Sequence, residues 1–166
     1  GLPGLWVCMD PDCTEMPATE RGIDRRPCGK MYEQPRERCA CGAQVLEFYT
    51  CRHCGSAYAR GYTDDVEQPT YLSPEGGESF QDETGPVREL QPIDLLLEAA
   101  RENVETAEYD VLTGRINGPP GNRMRFVSLR EDRTVNARHD DDDDGEGSNE
   151  GNLGEFKPCG VCGGYA

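Results

Sequence analysis

The hydrophobic residues of this chain fall in short runs that alternate with polar residues or end at Gly and Pro. Alternation with a period of two, over about four to eight residues, is typical of a half-buried β-strand. In the N-terminal third this pattern predicts four strands: LWVC (5–8), KMYEQ (30–34), QVLEFYT (44–50) and SAYARGYT (56–63). We expect the last three to form a small antiparallel ribbon.

Beyond residue 63 the pattern is less regular. Short edge strands are predicted at TYLS (70–73) and PVREL (86–90), within a loop-rich acidic stretch. A hairpin is predicted over 109–129, with strands YDVLTGRI (109–116) and NRMRFVSL (122–129) around the turn sequence NGPPG. In its second strand Arg123 and Arg125 alternate with Met124 and Phe126, the pattern of a half-buried strand with its arginines facing solvent.

One segment has helical rather than strand spacing. Five apolar residues after Pro92 recur at i, i+3, i+4, i+7 and i+11: Ile93, Leu96, Leu97, Ala100 and Val104. A proline near the start and this spacing are typical of an amphipathic helix. The sequence therefore predicts one short helix over residues 92–104.

The composition leaves little material for a hydrophobic core. Apolar residues make up 35% of the 166-residue chain, charged residues 30%, and there are 20 Gly and 12 Pro. Structural metal ions supplement such cores, contributing on the order of 10 kcal/mol each. We expect a small, metal-stabilised, mainly β fold, with zinc-ribbon-like antiparallel strands, one short helix and long irregular loops.

Four segments are expected along the chain. Residues 1–62 form a cysteine-rich zinc-ribbon block, 63–137 an acidic excursion, 138–154 an acidic linker, and 155–166 a C-terminal zinc knuckle. The linker contains HDDDDDGEGSNEGN, a like-charged, Gly-rich run with nothing to bury, which favours disorder. The ligand order of an EF-hand is absent from it, which argues against a Ca²⁺ loop.

Two copies of the sequence CxxCG indicate metal half-sites. Two thiolates two residues apart can bind one tetrahedral ion, and the following glycine permits the turn that aims backbone N–H groups at sulfur. Cys51 and Cys54 form the first copy, and Cys159 and Cys162 form the second. Each half-site needs two more ligands.

The predicted strand 44–50 suggests where those ligands come from. Seven extended residues span about 23 Å, which is too far for cysteines at its two ends to share an ion with metal–sulfur bonds near 2.3 Å. We expect two sites holding two Zn²⁺ ions, one formed by Cys8, Cys13, Cys39 and Cys41 and the other by Cys51, Cys54, Cys159 and Cys162. A tight turn at Gly42 that folds the two central pairs together is the alternative.

Of the nine cysteines this scheme leaves Cys28 unused, in a structural or spare-ligand role. His53, between two ligands, is expected to face solvent.

No signal peptide or membrane-spanning run is present, which predicts a cytoplasmic location without membrane contact. In that compartment paired cysteines favour metal sites over disulfides.

The charge is unevenly distributed. The net charge is −15, yet residues 21–60 carry eight basic and four acidic side chains. A basic block of this kind can face phosphates, although a solvated surface that offsets nearby thiolates explains it equally well. The possible nucleic-acid contacts are Arg25, Arg26, Lys30, Arg36, Arg38 and Arg52, and the same block contains Arg21 and Arg60.

Motifs for catalysis are absent from this sequence. It has no Walker A motif, no H-x-E deaminase signature and no HExxH. Sites with four cysteines are also coordinatively closed. The sequence therefore shows no enzyme within this chain.

Three stretches resemble a known family: GLWVC (4–8), KMYEQPRERCACGAQVLEFYTCRHCGSAYARGY (30–62) and FKPCGVCGG (156–164). They resemble the cysteine-rich segment beside the ATPase core of large superfamily 2 DEAD/DEAH-type DNA helicases, in the Lhr-like and mitomycin-repair helicase group, with relatives in phage-defence systems. The resemblance implies a zinc-stabilised accessory module of an ATP-binding DNA helicase, which supports the DNA path or a partner surface in DNA repair or antiviral defence. Only the cysteines are carried over from it.

Three functions remain open at this point. The first is a zinc-binding module within a larger helicase polypeptide, with DNA as its partner. The second is an acidic protein-interaction module in which zinc only maintains the shape. The third is a rubredoxin-like iron protein, because four cysteine ligands also suit iron.

Overall fold

A computed structural model describes residues 4–80, 87–100, 104–129, 154–156 and 158–164. Within these ranges the chain forms eight β-strands and one 3-10 turn at Ala18–Glu20, with no α-helix. The expected mainly β fold is confirmed. The predicted acidic linker, residues 138–154, lies outside the described residues apart from Gly154.

The strands form one antiparallel sheet. Their bounds are β1 Leu5–Cys8, β2 Met31–Tyr32, β3 Val45–Thr50, β4 Ala57–Thr63, β5 Gly77–Phe80, β6 Val87–Leu96, β7 Thr106–Asp110 and β8 Met124–Ser128. The order across the sheet is β2-β1-β3-β4-β6-β8-β7, and β5 pairs with the first part of β6. The first four strands lie within the four N-terminal strands predicted from the sequence.

The centre of the sheet joins the cysteine-rich block to the acidic excursion. β4 pairs with β3 from Glu47↔Arg60 to Thr50↔Ala57 and with β6 from Tyr58↔Leu96 to Thr63↔Gln91. β4 is thus paired on both sides in the middle of the sheet, and most of its side chains are buried. Residues on both sides of position 63 therefore share one sheet.

The predicted helix over 92–104 is wrong. Residues up to Leu96 form the second half of β6, and the described residues after it are irregular. Ile93, Leu95 and Leu96 are all buried, so both faces of the strand are covered. A strand covered on both faces has a continuous apolar run, which periodicity cannot distinguish from a buried helix.

Three further strand predictions need correction. The segment 86–90 is not a separate edge strand, because 87–90 are the first residues of β6, and 70–73 makes only isolated bridges at Tyr71 and Ser73. The predicted strand 109–116 is interrupted after Asp110, whose carboxylate accepts the backbone N–H groups of Leu112 and Thr113. The chain doubles back there, so Ile116 returns to pair with Tyr109 on the outer edge of β7.

The core consists of two clusters. The larger contains Val7, Val45, Leu95 and Tyr109, and it also includes Cys8, Cys13 and Cys39. The smaller cluster is formed by Tyr58, Leu96, Phe156 and Cys159. Each cluster thus includes cysteines from a different candidate metal site.

β8 is oriented opposite to the predicted pattern. Arg125 is 7% exposed whereas Phe126 is 65% exposed. The Arg125 guanidinium donates hydrogen bonds to the carbonyl oxygens of Leu97 (2.9 Å), Phe126 (3.1 Å), Met9 (3.2 Å) and Pro27. Burial lowers the pKa of Arg125 from its ordinary value. This buried arginine links β8 to the chain around the first cysteine block and to the end of β6.

Among the described residues there is no helix whose length and apolarity would let it cross a membrane.

The reversed orientation of β8 predicts unequal effects of two adjacent substitutions. Arg125→Met removes the donors from four backbone carbonyls, so we expect a loss of at least about 3 kcal/mol in the free energy of unfolding. Phe126→Thr, at an exposed strand position, should change it by less than about 0.5 kcal/mol. Urea denaturation in excess metal measures both, and a larger loss for Phe126→Thr would contradict the observed orientation.

Candidate metal centres

Eight of the nine cysteines lie in two groups of four. Within each group the sulfur atoms are all within 4.8 Å of one another. The first tetrad is Cys8, Cys13, Cys39 and Cys41, and the second tetrad is Cys51, Cys54, Cys159 and Cys162. These are the groups predicted from the sequence. A turn does occur at Gly42, which has a φ of 101°, but β3 runs between the two central pairs and they belong to different tetrads.

The first tetrad is assembled from the end of β1 and two loops. Cys8 ends β1, Cys13 follows in the next turn, and Cys39 and Cys41 flank a turn that precedes β3. The Sγ atoms of Cys8 and Cys41 are 3.6 Å apart, as are those of Cys13 and Cys39. A Cβ at Gly29 would lie 2.5 Å from Cys13 Cβ, so only glycine allows this close approach.

Hydrogen bonds fix the sulfur atoms of the first tetrad. The Tyr32 hydroxyl donates to Cys39 Sγ at 3.1 Å, and Arg123 Nη2 donates to Cys41 Sγ at 3.0 Å. Arg123 also binds the Asp10 carboxylate, with Nη2 2.6 Å from Oδ2. Arg123, just before β8, thus contacts the loop that follows β1 through Asp10. The same guanidinium holds Cys41 Sγ in position.

The thiols of the first tetrad differ in acidity. Burial raises the pKa of Cys8 from its ordinary value, and the neighbouring cysteines add to the effect. At Cys41 burial acts in the same direction, but the backbone N–H of Ala43 and the Arg123 guanidinium outweigh it, so the pKa is lowered. A cation bound by all four sulfurs would favour their deprotonated forms.

The second tetrad consists of two copies of the same turn. In the first, the N–H of Gly55 donates to Cys51 O and that of His53 to Cys51 Sγ; in the second, Gly163 and Val161 make the same contacts with Cys159. Gly55 and Gly163 have φ values of 80° and 76°, a conformation that favours glycine. The third position of each CxxCG motif therefore helps to fix a sulfur atom through its backbone N–H.

Sulfur–sulfur distances join the two turns. Cys51 Sγ lies 3.8 Å from Cys162 Sγ, and Cys54 Sγ lies 3.9 Å from Cys159 Sγ. Cys54 and Cys159 are 105 positions apart in the sequence. The second tetrad is thus completed by a segment that returns from the far end of the chain.

Contacts with β4 and β6 hold that returning segment in place. The backbone N–H of Asp94 donates to Gly154 O at 2.9 Å, and the Asp94 carboxylate accepts the N–H of Phe156 at 3.1 Å. Asp94 is buried and its carboxylate also binds Arg60 at 2.8 Å. The Phe156 ring packs edge-on against Tyr58, with centroids 5.4 Å apart.

Tyr58 connects this packing to the sulfur atoms. Its hydroxyl donates to Cys159 Sγ at 3.1 Å and accepts the N–H of Gly160 at 3.0 Å. Although burial acts to raise the pKa of Cys159, the backbone N–H groups of Cys162 and Val161 and the Tyr58 hydroxyl lower it to about 6. Cys54 and Cys162 are exposed, whereas three cysteines of the first tetrad are buried.

The sulfur geometry fits a bound metal ion. Four sulfurs arranged tetrahedrally, with metal–sulfur bonds of about 2.3 Å, lie about 3.8 Å apart. The four distances given above, 3.6 to 3.9 Å, bracket that value, and all sulfurs of a tetrad lie within 4.8 Å of one another, whereas a disulfide needs about 2.05 Å. Both tetrads could hold metal ions.

Cys28 belongs to neither tetrad. It is 3% exposed and lies in the larger core cluster, where burial raises the pKa of its thiol. His53 is exposed, as expected from the sequence, and its backbone N–H donates to Cys51 Sγ.

The predicted basic residues do not form one surface. Arg26 pairs with Glu20 at 3.1 Å, and Arg25 donates to the Thr19 carbonyl, so these two lie against the 3-10 turn. Lys30, Arg36 and Arg38 lie around β2 and the first tetrad, and Arg52 is an exposed residue of the turn between Cys51 and Cys54.

Several residues important for the tetrads were not identified from the sequence. They are Tyr32, Tyr58, Asp94, Arg123 and Phe156. In the sequence, Arg123 and Asp94 resemble ordinary surface charges. Asp94 also fell within the predicted helix 92–104, so its position in a central strand was not expected. One signal was available in the sequence: Phe156 is an apolar residue only three positions before the second CxxCG motif, which indicates that this segment packs against the core.

The fold and the two tetrads define a cysteine-rich β-sheet module with two places for a metal ion. The chain matches the family described as the YjiV N-terminal domain over residues 31–166, and it belongs to that family. A curated relative is the Druantia protein DruE of Escherichia coli (strain UMEA 4076-1), 31% identical over 122 residues. The match covers 70% of this chain and 6% of DruE. No solved structure matches.

The geometry predicts different outcomes for two cysteine substitutions. Cys51→Ser removes one of four convergent sulfurs and leaves its three partners as uncompensated charge, so we expect the metal of the second tetrad to be lost. Cys28→Ser exchanges a thiol that lies outside both tetrads, so metal content should be unchanged. Elemental analysis of both purified variants provides the measurement, and a metal lost from Cys28→Ser would show that the ligand set is different.

Proposed function

We propose that this chain is a zinc-binding structural module of a larger ATP-dependent DNA helicase that acts in phage defence or DNA repair. The observation that carries the proposal is the presence of two separate tetrads, each with four convergent sulfurs and sulfur–sulfur distances that suit zinc. The residues that would hold the first ion are Cys8, Cys13, Cys39 and Cys41. Those that would hold the second are Cys51, Cys54, Cys159 and Cys162.

Zinc surrounded by four thiolates has no open position for substrate, so it supplies folding free energy rather than catalysis. The side chains of this chain position the sulfurs: Tyr32 and Arg123 at the first tetrad, Tyr58 at the second. Arg123 also offsets negative charge beside Cys41. The tetrads thus stabilise the shape of the module.

Two similarities support the association with a helicase: the match to part of the much longer DruE, and the cysteine pattern. The chain spans about 6% of the length of DruE, and its cysteine pattern resembles that of the helicase segment described above. A module of this size beside an ATPase core would support the DNA path or a partner surface. Its place would be in the cytoplasm, where thiolates remain reduced.

Metal analysis of the purified full chain tests the proposal. We expect two zinc ions per chain, a colourless protein, and loss of ordered structure in residues 5–62 when a strong chelator removes the metal. Iron with visible absorbance would support the rubredoxin-like alternative instead. A single zinc ion, or a fold that survives complete removal of metal, would refute the two-site proposal.

The long connection to the second tetrad gives a separate prediction. Loop closure costs grow as (3/2)RT ln n, so extending a loop from about 10 to about 100 residues adds only about 2 kcal/mol, well below the contribution of zinc. Truncation after Glu155 should therefore reduce the zinc content from two to one. As a matched control, deletion of residues 139–151 should leave two zincs, and a truncated chain that keeps both would show that Cys51 and Cys54 find their ligands elsewhere.

A further inference from the structure

We propose that Lys30 and Arg36, which lie over the Tyr32 ring, and the adjacent Arg38 form a contact site for the phosphodiester backbone of a nucleic-acid strand. This inference rests on the proposed function and identifies which part of the basic block contacts nucleic acid. We call Lys30, Tyr32, Arg36 and Arg38 the Tyr32 patch. Lys30 and Tyr32 are partly exposed, and Arg36 and Arg38 are exposed.

The cations of the patch are not neutralised by carboxylates. In the described parts of the chain, ion pairs engage Arg26, Arg60 and Arg123. In those parts no carboxylate pairs with any cation of the Tyr32 patch. Exposed charges without a carboxylate partner are available to phosphate groups, whose neutralisation drives nucleic-acid binding.

One aromatic ring, that of Tyr32, brings two cations of the patch together. Lys30 Nζ lies 5.3 Å and Arg36 Cζ lies 4.4 Å from the centroid of Tyr32, so the two charges are within about 10 Å of each other. Arg36 Nε also donates to the backbone carbonyl of Arg38 at 2.6 Å, which places the Arg38 backbone beside them. Two or three positive charges are thus held close together at the β2 edge of the sheet.

The patch is preorganised by hydrogen bonds within the chain. Arg38 Nη1 donates to the carbonyl oxygens of Leu112 at 2.6 Å and Gly42 at 2.9 Å. Both hydrogen bonds use the same nitrogen, so Nη2 and Nε of Arg38 are the atoms that would contact a phosphate. The Tyr32 hydroxyl is fixed by Cys39 Sγ. Side chains that are already positioned lose less conformational entropy on binding.

Charge also limits how this site can act. Glu33 and Glu37 lie in the same loop, and the chain as a whole carries a net charge of −15. Long-range attraction of a polyanion to this chain is therefore excluded, and any binding has to come from local contacts with one or two phosphates. Arg52 is an exposed cation near the opposite end of β3, about 20 Å along the strand, and serves as a matched control.

Fluorescence anisotropy with a labelled oligothymidine strand and a labelled duplex tests the site, using the full zinc-loaded chain. We expect Arg36→Gln/Arg38→Gln to weaken binding at least about tenfold at about 50 mM salt and to lower the salt slope on the single strand by about 1.4, or about 0.7 per lost phosphate contact. Equal weakening on both probes would identify the shared phosphates as the ligand, and weakening on oligothymidine alone would identify the single strand. The control Arg52→Gln should stay within about twofold of wild type on both probes.

Three results would overturn the site: no binding by the wild-type chain, unchanged binding by the double variant, or an equal loss in Arg52→Gln. Zinc content is measured in parallel, so a chain that holds two zincs but binds neither probe refutes the patch alone and leaves the proposed function intact. If the double variant loses metal, the Lys30→Gln variant tests the patch in its place. Among the described residues the Lys30 side chain contacts only the Tyr32 ring, so this substitution should leave the metal sites intact. That variant should bind at least about threefold more weakly than wild type, and unchanged binding would again overturn the site.

Discussion

The length of β3 is the constraint on which the architecture depends. Its six residues, Val45–Thr50, span roughly 20 Å, so the cysteine pairs before and after it cannot share an ion. Each pair has to find its partners elsewhere: Cys39 and Cys41 find them on β1 and its following turn, while Cys51 and Cys54 find them at the far end of the chain. One short strand thereby divides the sulfur atoms into two sites.

The sheet and the tetrads depend on each other. Asp94, in the middle of β6, binds the backbone of the returning segment, and Phe156 packs on Tyr58, so the sheet brings Cys159 close to its partners. At the other site Arg123 joins the chain before β8 to a ligand sulfur. With only 35% apolar residues, the module relies on such links and on metal to supplement the core.

Much of this arrangement was predictable, because strand alternation and cysteine spacing are local signals. The N-terminal strands and the two CxxCG half-sites follow from residues that are close in sequence, and the length of the predicted strand 44–50 separates the two central cysteine pairs. The second half of β6 was not predictable as a strand, since Ile93–Leu97 is covered on both faces and periodicity alone does not separate that case from a helix. The inward position of Arg125 and the role of Asp94 depend on which distant backbone groups need partners, and no local pattern records that.

The central claim is that the two CxxCG half-sites share one ion while the other four cysteines share a second. Cadmium-substituted protein tests it most directly, because ¹¹³Cd–¹H NMR correlates each metal with the β-protons of its own ligands. The account predicts two cadmium resonances, one coupled to Cys8, Cys13, Cys39 and Cys41 and the other to Cys51, Cys54, Cys159 and Cys162. A single resonance coupled to Cys39, Cys41, Cys51 and Cys54 would contradict it.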